Sequence, residues 1–337
     1  MQNPVIQLPS VGWTTEVKVT ARRRLSNKTK LANEFVMRIS MPWCGRRSQE
    51  KKKMKKLFSL ALAAGIALVG VSTVQAISES EIQQDIEEFQ GYFLKRFPGL
   101  TIEDFQDGVN ALPQYAHRRA NWELAMEFPP YEPEMEKAAE EWNASFANGK
   151  SLNDCDLAPG HTYPVFDAAT GDLRTIVGDI NACLKANGED QIKNVKRAKM
   201  ARLVAHYRSQ FNGEKMAVDF SDPGAQALYQ KGRQSYWAKR GQLNFSCADC
   251  HVHNAGNMVR GDVMSAGLGH GVGFPVWRTK WQVAGKPWGT IHRRYGGCNK
   301  QVRAHPFKAQ GQEYKALEFY EAVMNTGIPL KVPSQRQ

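Results

Sequence analysis

Cys247-Ala248-Asp249-Cys250-His251 sets two cysteines two residues apart and follows the second at once with a histidine. Two thiols at that spacing reach the two vinyl groups of one porphyrin, and the imidazole that follows falls beneath the iron. CxxCH therefore reads as a covalent c-type haem site. A zinc site or a local disulfide is the competing reading, but no second CxxC and no histidine pair at finger spacing accompanies it. Working outward, Ala225 to Lys239 has a helical pattern interrupted only by Gly232, and Gly241 breaks it before the motif. Towards the C-terminus, Glu313 to Asn325 places Tyr314, Leu317, Phe319, Tyr320 and Val323 at helical spacing, closed by Gly327 and Pro329. Two helices bracketing a haem motif predict a mainly α, cytochrome c-like fold.

The flanking words occur twice in the chain. Phe274-Pro275-Val276-Trp277, then Thr290-Ile291, Cys298 and Lys300, match Tyr163-Pro164-Val165-Phe166, then Thr175-Ile176, Cys183 and Lys185. The approaches Gly149–Cys155 and Gly241–Cys247 are alike, and Met200–Tyr207 stands where the terminal helix stands in the second copy. The sequence thus predicts two tandem cytochrome c-like helical domains related by duplication, 77–218 and 219–337, of which only the second binds haem. In the first, Ala158 and Pro159 occupy the places of the second thiol and the histidine. With no porphyrin between them, Cys155 and Cys183 are expected to close a disulfide, contributing roughly 3–4 kcal/mol for a loop of that length.

The 337 residues carry 45 Lys+Arg and 33 Asp+Glu, a formal +12 that on its face suggests a polyanion partner. Residues 54–76 read differently, with Met54-Lys55-Lys56, an apolar run Leu57–Val71 and Val74-Gln75-Ala76 forming the three zones of a secretory signal peptide. Residues 1–53 then read as an upstream extension outside the translated protein. From Ile77 onward the chain holds 31 basic and 30 acidic residues, a net of +1, so nucleic acid is not an expected partner. No stable membrane span is expected after cleavage, and the expected location is the periplasm. The residual charge is polarised, −14 over 77–190 and +15 over 191–337.

With Cys44 set aside in the upstream extension, Cys247 and Cys250 assigned to haem and Cys155 and Cys183 to a disulfide, Cys298 is left over. Arg293, Arg294, Lys300 and Arg303 lie within five residues of it, and nearby cations favour the thiolate, the nucleophilic and iron-binding form. Candidates for the axial position opposite His251 are Met258, Met264, His253, His270, His292 and Cys298. Spacing alone favours methionine; the repeat and the basic, glycine-flanked setting favour Cys298.

These residues resemble SoxA, the c-type cytochrome subunit of bacterial thiosulfate-oxidising complexes, most specifically in Phe274–Gln282, His292–Phe307 and the CxxCH at 247–251. The resemblance covers essentially all of the chain from Ile77 and points to the single-haem subtype, in which a disulfide replaces the first-domain haem. It implies one covalently bound haem c on Cys247 and Cys250, with His251 and Cys298 as axial ligands. It also implies catalysis at Cys298 as a cysteine persulfide, and oxyanion binding by Arg294. The implied activity is that of an L-cysteine S-thiosulfotransferase, which joins thiosulfate oxidatively to a cysteine of a SoxY-like carrier and passes two electrons to cytochrome c. A SoxX-like small cytochrome is the implied heterodimer partner. The alternative is a periplasmic electron-transfer cytochrome with no substrate site.

Overall fold

The computed structural model describes residues 77–259 and 261–336. The expected upstream extension and signal peptide lie outside the described residues. No helix among the described residues is long and apolar enough to cross a membrane.

Ser78 starts the first helix with a reciprocal cap: its hydroxyl accepts the Glu81 N–H while the Glu81 carboxylate accepts the Ser78 N–H at 2.8 Å. That helix, α1 (Glu79–Arg96), buries Ile82, Ile86, Phe89 and Phe93, spaced four, three and four apart along one face. Short 3-10 turns over 103–115 lead into α2 (Ala116–Glu127) and α3 (Glu132–Asn143). A hairpin of β1 (Val165–Asp167) and β2 (Asp172–Arg174) feeds α4 (Ile176–Ala186), which Thr175 caps by accepting the Gly178 N–H at 3.0 Å. α5 (Ala198–Ser209) and α6 (Pro223–Trp237) follow.

The CxxCH region opens a small hairpin, β3 (Met258–Val259) with β4 (Asp262–Val263). β5 (Val276–Arg278) then pairs antiparallel with β6 (Trp288–Gly289), and α7 (Ile291–Gln301) and α8 (Gln312–Met324) follow. The chain's last strand, β7 (Ser334–Arg336), adds parallel to β5, so β5 lies at the centre of a three-stranded sheet. The two helices expected on either side of the haem motif are α6 and α8, found within two residues of their expected bounds.

α6 and α8 cross at Gly232, where a Cβ would stand 2.0 Å from the Ala316 carbonyl oxygen and 2.7 Å from Tyr320 Cβ. Neither neighbour is a flexible side-chain tip, so Gly232→Ala must force the helices apart. It is expected to cost at least about 1–3 kcal/mol, read as a lower midpoint of urea unfolding.

Two main cores form, and they do not divide at 218/219. Trp142, Leu152, Ile180, Met200 and Leu203 centre the first, and across it the structure joins Cys155 to Cys183 in a disulfide. The second combines α6, α8 and the haem-motif region with Ile82, Phe89, Phe93, Phe105 and Leu112 from the start of the described chain. Residues 82–112 therefore pack with the second half, with the apolar face of α1 set against α8.

Candidate active site

Ser246 and Asp249 cap each other, with the Ser246 hydroxyl accepting the Asp249 N–H at 3.0 Å and the Asp249 carboxylate accepting the Ser246 N–H at 2.8 Å. The turn they start widens to a π-helical one over Asp249–His253. Cys247, Cys250 and His251 then line one cavity of about 450 Å³, within the range of small-molecule and cofactor sites. Its apolar walls include Val263, Phe274, Ile291, Tyr314 and Leu317.

His251 Nδ1 donates to the Ser265 carbonyl at 3.0 Å, which leaves the Nε2 lone pair available to a metal. Burial lowers the His251 pKa to about 3, keeping the imidazole in its neutral, metal-binding form. Burial, followed by the charges of Glu321, Cys298 and Cys250, pushes the Cys247 thiol up. The three sulfurs thus lie within electrostatic reach of one another, and Cys247, Cys250 and Cys298 are all free thiols. Among the described residues no cluster of His, Cys, Asp or Glu is arranged to hold a metal ion alone, so the structure gives the zinc reading no support. Two free thiols, a pre-oriented imidazole and an apolar slot form a donor set that fits covalent haem.

Cys298 and Arg294 both line the cavity, one helical turn apart on α7. The other cations near Cys298 in sequence turn elsewhere. Arg293 donates to the Lys286 carbonyl at 2.7 Å and stacks on Trp281, because Gly289 leaves room for it there. Lys300 and Arg303 are exposed and do not line the cavity. The axial candidates separate as well. Met258 and His253 are exposed, and His292 is buried outside the cavity with Nε2 2.9 Å from Glu318. His270 lies edge-on to His251 at 4.4 Å between ring centres, on the same side of the cavity as that imidazole. Met264 and Cys298 remain along the wall.

Sequence reasoning missed several charged residues of the cavity, Arg240, Arg278, Arg336 and Glu321 among them. Glu321 is buried, its carboxylate accepts the Tyr295 hydroxyl at 2.7 Å, and burial pushes its pKa up to about 7. Arg278 falls inside one of the two stretches that carry the family resemblance. Arg336 carried no sequence signal, because its place depends on a parallel pairing across more than fifty residues.

Fold and site together define a c-type cytochrome. Residues 137–216 match the family described as SoxA/TsdA, cytochrome c domain. The chain is 40% identical over 292 residues to the L-cysteine S-thiosulfotransferase subunit SoxA of Chlorobaculum thiosulfatiphilum, covering 86% of this chain and 100% of that one. It is 36% identical over 282 residues to the subunit of the same name from Allochromatium vinosum, covering 82% and 98% respectively. Among solved structures it is similar to SoxXA from P. pantotrophus at 31% identity and a TM-score of 0.56, over 62% of this chain and 79% of that one. The chain belongs to the SoxA family.

Proposed function

We propose that this chain is the SoxA-type subunit of an L-cysteine S-thiosulfotransferase, acting in the periplasm after removal of residues 54–76. The observation that carries the reading is the cavity that gathers Cys247, Cys250, His251, Arg294 and Cys298. The reaction joins a carrier thiol and the outer sulfur of thiosulfate in a new S–S bond, giving a cysteine S-thiosulfonate and releasing one proton and two electrons. Haem at Cys247, Cys250 and His251 supplies an electron acceptor, and the electrons pass on to cytochrome c through a small partner cytochrome. The solved SoxXA relative supports that partner, and a SoxY-like protein is the proposed carrier.

Arg294 offers a planar pair of donors to the sulfonate oxygens. That leaves the outer sulfur of thiosulfate directed along α7 towards Cys298. The Cys298 sulfur, as a persulfide, forms the first S–S bond with loss of two electrons; the carrier thiolate then attacks, and the Cys298 sulfur leaves. Two easier steps replace one hard one. Cys298 is also the proposed axial ligand opposite His251.

Several features support descent by duplication with one haem c. The match to a cytochrome c family falls on residues 137–216, which contain no CxxCH. Each half runs through an aromatic–proline pair (Tyr163-Pro164, Phe274-Pro275), a strand pair and a helix, and Cys183 and Cys298 are each the eighth residue of that helix.

Intact mass of the exported protein tests the assignment. The expected chain starts at Ile77 with one haem, one disulfide and one extra sulfur on Cys298; two haems or none would overturn it. Arg294→Leu is expected to raise KM for thiosulfate on the order of 10–100-fold, the worth of about 1.5–3 kcal/mol for bonds to a charged group, with haem content unchanged. An unaltered KM would remove Arg294 from substrate binding.

A further inference from the structure

Parallel pairing of β5 with β7 sets Arg278 directly beside Arg336 in register, and both line the haem cavity. Register partners on adjacent strands project to the same face, so two guanidiniums stand side by side where like charges repel. Arg336 Nη2 is shut off from solvent and has no hydrogen-bond partner among the described residues. Gly108 closes behind it: a Cβ there would meet Nη2 at 2.4 Å, and the backbone holds φ +58°. Asp262 pairs with Lys280 at 2.8 Å and its charge also reaches Arg278, and Asp107 pairs with Lys331. Burial, then the charge of Arg294, draws Arg278 down to about 10, and burial, then Arg278 and Arg294, draws Arg336 to the same value. Both remain cationic at neutral pH.

A buried guanidinium with an unsatisfied N–H and cationic neighbours is costly unless an anion completes it. We infer that Arg278 and Arg336 form a two-arginine shelf that holds the carboxylate edge of the haem, leaving Arg294 to the exchangeable sulfur oxyanion. This rests on the reading of the cavity as a haem site. A resident anion fits the shelf better than a diffusing one, because Arg278 and Arg336 line the same cavity as the attachment thiols, where a tethered group is held permanently. A porphyrin tethered at Cys247 and Cys250 carries its two carboxylates on the edge remote from those thioethers. The charge of Arg240 acts on the Cys247 thiol and that of Arg294 on Cys250, whereas the sulfur that acts on Arg278 is Cys298. The chain's final strand is thereby a haem-binding element.

The test uses holoprotein carrying Arg336→Met, Arg278→Met or Gly108→Ala, the last of which displaces the guanidinium without removing its charge. Reduction potential is titrated between pH 5 and 8, and KM for thiosulfate is measured on the same samples. Loss of the shelf leaves a haem carboxylate uncompensated, so the potential is expected to fall and to acquire a pH slope that the parent lacks, with KM changed less than twofold. Arg336→Lys is expected to restore most of the parent potential. A potential and pH profile identical to the parent would overturn the inference, as would a raised KM alone, which would assign the shelf to the substrate. Haem content of each sample separates these outcomes from failure of the haem reading: a parent without covalent haem sinks both, whereas a haem-replete parent with unresponsive variants sinks only the shelf.

Discussion

Cys298→Ala is expected to lower thiosulfate-dependent reduction of cytochrome c by about 10³-fold or more while leaving covalent haem in place. The attachment residues are on the turn that starts at Ser246, and Cys298 is on α7, so the substitution removes one wall sulfur without disturbing the other two. Loss of a nucleophile that forms the intermediate removes the two-step route altogether, whereas loss of a merely positioning group weakens it. The same variant reports ligation. The optical spectrum of ferric protein is expected to lose its sulfur-ligand character, and Met264 and water are the groups left to take the position. Unchanged turnover would place catalysis at another sulfur, and unchanged spectra would place the axial ligand elsewhere on the wall.

Much of this site was legible because its chemistry lies in short words. CxxCH is local, and a helix that carries Arg294 and Cys298 four residues apart turns both the same way whatever surrounds it. The odd cysteine could be found by elimination because the other four had partners implied by spacing and repeat. Composition misled where it counted charge without direction. Arg293, Arg294, Lys300 and Arg303 look equivalent in sequence, but α7 sends only Arg294 into the cavity, and Gly289 opens a pocket over Trp281 that captures Arg293.

What sequence did not disclose depends on pairing over long separations. The apolar face of α1 is readable as a buried face, but nothing in it says that the partner is α8 rather than the adjoining helices of the first half. Likewise the strand carrying Arg336 is three residues long, too short for a periodic signal, and acquires meaning only from its register with β5. The line at 218/219 followed the repeat. Cores follow surface complementarity, and α1 lies outside the stretches whose words recur.

Arg208→Met is expected to destabilise the protein by roughly 5 kcal/mol, the largest effect anticipated for a residue outside the active site. Arg208 on α5 is buried, and its guanidinium donates to the carbonyls of Gly160 at 3.2 Å, Gly271 at 3.1 Å and Phe274 at 2.6 Å. Gly160 belongs to the loop before β1, and Gly271 and Phe274 to the loop before β5, so one side chain satisfies acceptors from both halves of the chain. Burial lowers its pKa to about 10, which still leaves it charged at neutral pH. Methionine keeps the stem and its packing but supplies no donor, so three buried carbonyls lose their partner at about 1–3 kcal/mol each. Lysine keeps the charge but not the planar fork and cannot reach all three, so Arg208→Lys is expected to fall between the two. Urea unfolding followed by far-UV circular dichroism measures the loss. Because Phe274 also lines the haem cavity, the same variant is expected to loosen that wall and broaden the haem absorption. A shift below about 1 kcal/mol would mean that other donors or water satisfy these carbonyls.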